Sequence, residues 1–322
     1  MPAVPSRTAV IIANPAARRA LPASALDAAA HAMRARGWDV TIVVATSRDH
    51  TISSAERHAR AGVDALLACG GDGTLLAVVS GVRAAGDDTR TAVGIVPAGT
   101  ANVWAAEAGV PHDPMRALAL LENGERRRID LGIAHIGDGP AVRFLLVCGA
   151  GLDAAVVRAV EAQPGWKRRL GRLAFGAPAL RALASWPAID TRLALDGVEV
   201  HAPHLLLALA SNTSRYGGVA SLSRTTQIDD GLIEVVTFEG GRSLRGRVAL
   251  ALHALRGHLD TRDVRGVTHW QAARVTLTPA HAMPIEVDGD AIGDCAPDAP
   301  LHIAVEHRAV TMIFGPAPTR SV

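Results

Sequence analysis

The sequence predicts an α/β half followed by a mostly antiparallel β half. Two observations carry this. Over roughly the first 130 residues, short apolar runs alternate with segments of helical period, and glycine-rich turns directly follow two of the runs. From about Ile129 onward, strand-like runs recur with Asp-Gly pairs between them.

Thr8–Ala13 is a short apolar run that fits a buried strand. Ser24–Arg36 carries apolar residues at helical spacing, with Gly37 where a C-terminal stop is expected. Val40–Val44 is β-branched and reads as a second strand, and Ser53–Arg60 reads as a helix. Val63–Cys69 is a third strand, followed at once by Gly70-Gly71-Asp72-Gly73-Thr74 and a helix to about Arg83. Ala92–Val96 is a fourth, followed by Pro97-Ala98-Gly99-Thr100-Ala101-Asn102 and another helix. This order predicts a parallel, doubly wound sheet. In the second half, Asp196-Gly197, Asp230-Gly231 and Asp288-Gly289 are hairpin signals. Helical segments interrupt it near Asp153–Val160, Trp166–Ser185 and Ser243–Leu259, and Val310–Phe314 is a final strand.

The chain has 322 residues, enough for about two domains with real cores. Lys+Arg 33 against Asp+Glu 31 gives a net charge of +2, which argues against a general nucleic-acid binder. No apolar run approaches the ~18 residues of a membrane span, and the N-terminus runs into a strand without the pattern of a signal peptide. Cys69, Cys148 and Cys295 show no metal-ligand spacing and no disulfide framework, which fits a reducing cytoplasm. Lys167 is the sole lysine. A Walker-A loop and a V-A-I-K strand both need one, and neither motif is present. Phosphate chemistry in this chain would use main-chain N–H groups, arginine and a metal.

Five segments could carry chemistry. Gly70–Thr74 ends a predicted parallel strand and opens a helix, where glycines admit close ligand approach and the first-turn N–H groups face an anion. Asp72 between them can hold a metal, order a water or accept a proton; a simple glycine-rich turn is the plain alternative. Thr100 and Asn102 of the second turn could reach phosphate oxygens or a ribose, or could cap the helix. Two such turns side by side line one crevice in a doubly wound sheet. Gln227-Ile228-Asp229-Asp230-Gly231-Leu232 offers carboxylates and carbonyls to a hard cation, or is a solvated hairpin turn. Glu286, Asp288 and Asp290 project to one side if a strand continues through them, where a carboxylate can take a proton from a hydroxyl. Trp166–Arg172 combines an aromatic with basic residues and could rest on an anionic membrane surface; a solvated charge run is the alternative.

In order along the chain, Asn14-Pro15, Gly70–Thr74, Pro97–Asn102, Cys148-Gly149-Ala150-Gly151-Leu152-Asp153, Asp229-Asp230-Gly231 and Val287-Asp288-Gly289 resemble bacterial lipid kinases of the diacylglycerol kinase catalytic-domain family, related to sphingosine and ceramide kinases. The resemblance covers nearly the whole chain. It implies an N-terminal nucleotide domain over residues 1–130, with 308–322 packing back onto it. It also implies a C-terminal β-sandwich-like domain over 131–307 and an active site in the cleft between the two. By this similarity Thr46, Gly70, Gly71, Asp72, Gly73, Thr74, Leu75, Leu76, Thr100 and Asn102 contact ATP. Asp288 accepts the proton of the lipid hydroxyl, with Asp72 as the alternative. Asp230 binds Mg²⁺ with the carbonyls of Gln227 and Leu232. Apart from the resemblance, Arg18 or Arg19, just after the first strand, could offset phosphate charge, since no lysine is available for that role.

The expected activity is Mg-dependent transfer of the γ-phosphate of ATP to a lipid hydroxyl. The expected partners are a lipid at the membrane surface and no nucleic acid; the enzyme would be cytoplasmic and transiently membrane-associated, and a homodimer is compatible with the sequence. The chain departs from the family pattern where Leu76-Ala77 replaces Asn-Glu, Val103 replaces Asp, and Asp290 replaces Glu. These changes keep two other readings open: an NAD kinase-like enzyme, which would share the first glycine motif, and a relative with impaired catalysis. A dinucleotide-dependent oxidoreductase needs GxGxxG after the first strand, where Asn14-Pro15-Ala16 stands instead.

Overall fold

A computed structural model describes residues 7–161, 185–216, 220–222, 226–240 and 266–316. The segments expected to be helical at 166–185 and 243–259, and the basic stretch Trp166–Arg172, lie outside the described residues, apart from Ser185. The chain divides into two compact units, residues 1–129 with 308–322 and residues 130–307.

The first unit is an α/β layer structure. Strands β1 (Arg7–Ala13), β2 (Trp38–Val44), β3 (Ala65–Gly70) and β4 (Ala92–Pro97) pair in parallel in the order β2-β1-β3-β4. All six residues of β3 and all six of β4 are buried, as expected of parallel strands covered on both faces. The helices are α1 (Ala23–Arg34), α2 (Arg48–Arg60), α3 (Asp72–Ala85), α4 (Val103–Glu107) and α5 (Pro114–Asn123). Helix α2 starts five residues before the expected Ser53, because Ser47 Oγ accepts the His50 N–H at 3.0 Å and caps the helix there. The strand order reverses between β1 and β3. In open α/β sheets that switch point is where the carboxyl ends of the strands leave a crevice.

The second unit is a β-sandwich. Strands β5 (Glu125–Ile136) and β17 (Leu301–Phe314) each run across a unit boundary in sequence. Between them lie β6 (Val142–Phe144), β7 (Val147–Gly151), helix α6 (Leu152–Glu161), β8 (Ile189–Leu195) and β9 (Val198–Ser211). The short pair β10 (Arg215–Tyr216) and β11 (Ala220–Ser221) follows, then β12 (Ile233–Glu239), β13 (Val267–Ala272), β14 (Arg274–Pro279), β15 (Met283–Val287) and β16 (Asp290–Cys295). The first part of β9 pairs with β8, and its second part pairs with β7 and β12. One long strand thus serves both layers, and a continuous core of aliphatic residues from β7, β8, β9, β14, β15 and β17 fills the space between them. Asp196-Gly197 and Asp288-Gly289 join the paired strands β8–β9 and β15–β16. Asp230-Gly231 does not make the expected hairpin: it leads into β12, whose partners are β9 and β13.

Candidate functional site

In the first unit, three loops at the carboxyl ends of β1, β3 and β4 are tied together. Asn14 Nδ2 donates to Thr74 Oγ1 at 3.0 Å, and the Asn14 N–H donates to the Cys69 carbonyl at 3.0 Å. The Arg19 N–H donates to the Ala98 carbonyl at 2.9 Å. The Ala98 N–H donates to the Gly70 carbonyl at 2.8 Å. The two glycine turns touch at their backbones. A Cβ on Gly99 would stand 2.4 Å from the Gly71 Cα, so no larger residue fits there. Gly73 is different: it is exposed and a Cβ there would meet nothing within 4 Å. The fold sets no steric reason for a glycine at that place, which leaves the main chain there open to close approach.

Several expected ligand contacts are already spent within the fold. Asp72 accepts the Val103 N–H on Oδ2 and the Trp104 N–H on Oδ1, both at 3.0 Å, so its carboxylate starts helix α4. Asn102 is buried with φ 49°; its Oδ1 accepts the Gly99 N–H at 3.0 Å and its Nδ2 donates to the Gly99 carbonyl at 3.2 Å. The buried Asn102 side chain is turned inward, a correction of the expectation that it reaches a phosphate or a ribose, while the half-buried Asp72 spends one acceptor site of each oxygen within the fold. Leu75 and Leu76 are buried core residues, so no nucleotide reaches their side chains. Thr74 and Leu75 return their N–H groups to the Gly71 carbonyl, each at 3.0 Å. Val103 and Leu76, where the family pattern has polar residues, pack in this core. Thr100 and Thr46 are exposed, the Thr46 hydroxyl lying 3.0 Å from His50 Nδ1.

In the second unit the expected row of three carboxylates on one strand face does not form. Strand β15 ends at Val287, and Asp288 and Gly289 turn with φ of 49° and 88°. The turn sends the three carboxyls three ways. Glu286 is 1% exposed. Asp288 reaches across to β7 and its approach, accepting the N–H groups of Leu145 at 2.8 Å, Leu146 at 2.9 Å and Val147 at 2.8 Å. Asp290 is exposed. Asp288 therefore holds the turn, and with two main-chain donors on Oδ1 and one on Oδ2 it keeps less acceptor capacity for a substrate proton than an exposed carboxylate.

Asp230 is exposed and accepts the Leu232 N–H on Oδ1 at 3.0 Å. The donor set of Asp230 with the Gln227 and Leu232 carbonyls is all oxygen, which suits a hard divalent cation that keeps much of its water. Among the described residues no cluster of three or more His, Cys, Asp or Glu side chains could hold a metal. What fixes this loop is Asp130, fully buried on β5, which accepts the Gly231 N–H on Oδ2 at 2.6 Å and sits 2.9 Å from His307 Nδ1 through Oδ1. Asp130 escapes the sequence reading; its signal is a lone carboxylate inside the apolar run Ile129–Ile133.

Comparison with known proteins gives this geometry a family. The diacylglycerol kinase catalytic domain matches residues 8–134, and the YegS C-terminal NAD kinase beta sandwich-like domain matches residues 146–314. A relative from Chromohalobacter salexigens, named "Probable lipid kinase YegS-like", is 30% identical over 258 residues, covering 80% of this chain and 79% of that one. The chain belongs to the diacylglycerol kinase catalytic-domain family of bacterial lipid kinases. Another member, the diacylglycerol kinase of Bacillus subtilis (strain 168), is 26% identical over 286 residues, covering 88% of this chain and 90% of its own. The family's fold is seen in a crystal structure described as "a putative diacylglycerol kinase from Bacillus anthracis str. Sterne", with TM-score 0.78, 20% identity and coverage of 97% and 98%. Yeast NADH kinase shares the fold more distantly, with TM-score 0.54 and 11% identity. In this family member, no helix among the described residues is long and apolar enough to cross a membrane.

Proposed function

We propose that the chain transfers the γ-phosphoryl group of Mg-ATP to the hydroxyl of a membrane lipid of the diacylglycerol or sphingoid class. One observation carries the nucleotide half of this reading: the two glycine turns meet backbone to backbone, and beside them Gly73 leaves open space at the start of α3. An anion there meets main-chain N–H donors and the positive end of a helix, which replaces the absent lysine. Asp72 and Asn102 support this as positioning residues: Asp72 ties the first turn to the helix that follows the second, and Asn102 holds the second turn closed on itself. Thr46 and Thr100 are the exposed hydroxyls at the strand ends, available to nucleotide oxygens.

The lipid hydroxyl oxygen attacks the γ-phosphorus in line, the bond to the ADP oxygen breaks, and the hydroxyl proton passes to a carboxylate. Asp290 is the exposed carboxylate of the β15–β16 turn and takes that role; Asp288 holds the turn that presents it. Asp230 with the Gln227 and Leu232 carbonyls would hold Mg²⁺, which offsets negative charge when bound.

The test is incubation of the full chain with γ-labelled ATP and Mg²⁺ against vesicles containing diacylglycerol, sphingosine, ceramide or monoacylglycerol, and in a parallel arm against NAD. Thin-layer separation of the products follows. A labelled lipid is the expected result. Label on NAD and on none of the lipids overturns the acceptor class, and ATP binding without any labelled product overturns catalysis.

A further inference from the structure

The buried carboxyl of Glu286 has no part in the transfer outlined above. It stands opposite Gly149 in the β7–β15 ladder. A Cβ on Gly149 would lie 2.6 Å from Glu286 Oε1 and 2.7 Å from Asp153 Oδ2. The glycine thus leaves a space that oxygens from two carboxyls fill. Glu286 Oε2 accepts the Gly289 N–H at 2.7 Å, while among the described residues the buried Oε1 receives no other N–H or hydroxyl and faces Asp153. Two ionised carboxylates do not share such a space; one of them keeps a proton.

We propose that Glu286 and Asp153 share one proton above Gly149, and that this bond makes Glu286 a positioning residue for the Asp288–Gly289–Asp290 turn. The inference deepens the kinase reading and rests on it for its effect on turnover. The proton resides on Glu286, whose O–H donates to Asp153 while its second oxygen accepts from Gly289. Burial, and then the Asp153 charge, hold the Glu286 carboxyl well above the usual carboxylate range; the Gly289 N–H opposes this and Asp288 adds to it. The surrounding titratable groups are Asp153 on α6, Cys148 on β7, Asp288 and Asp290 in the turn, and Cys295 on β16. The nearby cation Arg158 of α6 is paired with Asp294 of β16 at 2.5 Å. Glu286 therefore joins the start of α6 to the turn, and ionising it places two like charges under Asp288.

The experiment uses the full chain with Glu286→Gln and Glu286→Ala. Glutamine keeps both bonds, its amide N–H₂ donating to Asp153 and its oxygen accepting from Gly289. Infrared difference spectra between parent and E286Q at neutral pH should show a protonated-carboxyl C=O band that the variant lacks. E286Q should keep kcat near that of the parent and lose the alkaline fall of its pH profile. E286A should lower kcat by up to about 10²-fold with the KM for ATP unchanged, as expected when a reacting group is displaced. Absence of the band, or an E286Q as inactive as E286A, overturns the proposal. If no lipid is phosphorylated by the parent, the kinase reading fails while the band alone still decides whether the proton is there.

Discussion

The hairpins at Asp196-Gly197 and Asp288-Gly289 have the same backbone, with φ of 48° and 49° at the aspartates and 86° and 88° at the glycines. Their aspartates behave alike. Asp196 accepts the Ala273 and Arg274 N–H groups at 3.0 and 2.8 Å, and Asp288 accepts those of Leu145, Leu146 and Val147. In both, a turn carboxylate ties a hairpin to the next piece of main chain. The flanking residues differ. Two before the first turn stands Ala194 and just after it the exposed Val198; the matching places in the second hold the buried Glu286 and the exposed Asp290. Turn chemistry thus accounts for Asp288 but not for the buried Glu286 or the exposed Asp290; the first positions the turn, and the second is where proton acceptance is proposed.

The largest effect expected from this difference is on rate. Asp290→Asn should lower lipid phosphorylation by about 10²–10⁴-fold, the usual loss for a proton acceptor. An Asp290→Asn variant with parental turnover would make the two hairpins equivalent and return proton acceptance to Asp288. The aspartates supply the next contrast. Asparagine has one accepting oxygen, and its amide N–H₂ confronts a main-chain N–H at either site. Asp196→Asn and Asp288→Asn should each lose about 1–3 kcal/mol in denaturant unfolding. Only Asp288→Asn should also lose turnover, because only its turn presents Asp290; equal turnover losses would erase the distinction.

The sequence displays the parts of this comparison that are local. Asp-Gly between apolar runs is enough to predict both hairpins, and Gly70–Thr74 after an apolar run is enough to place a turn at the head of a helix. It hides what depends on chain far away. That Asp72 would start helix α4, and Asp288 would cap Leu145–Val147, follows from strands laid side by side by tertiary pairing, which no spacing encodes. The strand period predicts Glu286, Asp288 and Asp290 on one face. The left-handed φ at Asp288 breaks that period, so three acids at alternate positions acquire three different environments. Likewise Asp230-Gly231 has the hairpin signature, yet the buried Asp130 captures its N–H and turns the chain toward β12.

A smaller effect separates the two turns through pH. Glu286 has its carboxyl raised in the folded chain by burial and by Asp153. The folded chain then keeps a proton that the unfolded chain has released. Its contribution to stability is fully present below the ordinary carboxylate range and is lost as pH rises toward the raised value. Within that window the slope approaches about 1.4 kcal/mol per pH unit. Glu286→Gln should flatten it in urea titrations at several pH values. Ala194, at the matching place before the first turn, has nothing to titrate, so that hairpin adds no such slope. An unchanged slope in E286Q would place the proton elsewhere.

The smallest expected difference tests the backbone alone. A Cβ on Gly197 or on Gly289 would meet nothing within 4 Å, so alanine at either costs only the left-handed conformation, about 1 kcal/mol. Gly197→Ala and Gly289→Ala should therefore lower stability by the same amount. Their consequences for transfer should part. The Gly289 N–H is the one that Glu286 Oε2 accepts at 2.7 Å, and relief of strain in the substituted turn would move it. Turnover should fall in Gly289→Ala and stay at the parental value in Gly197→Ala. Should both alanine variants keep full turnover, the turn tolerates displacement, and Asp290 is held by something other than the Glu286–Gly289 bond.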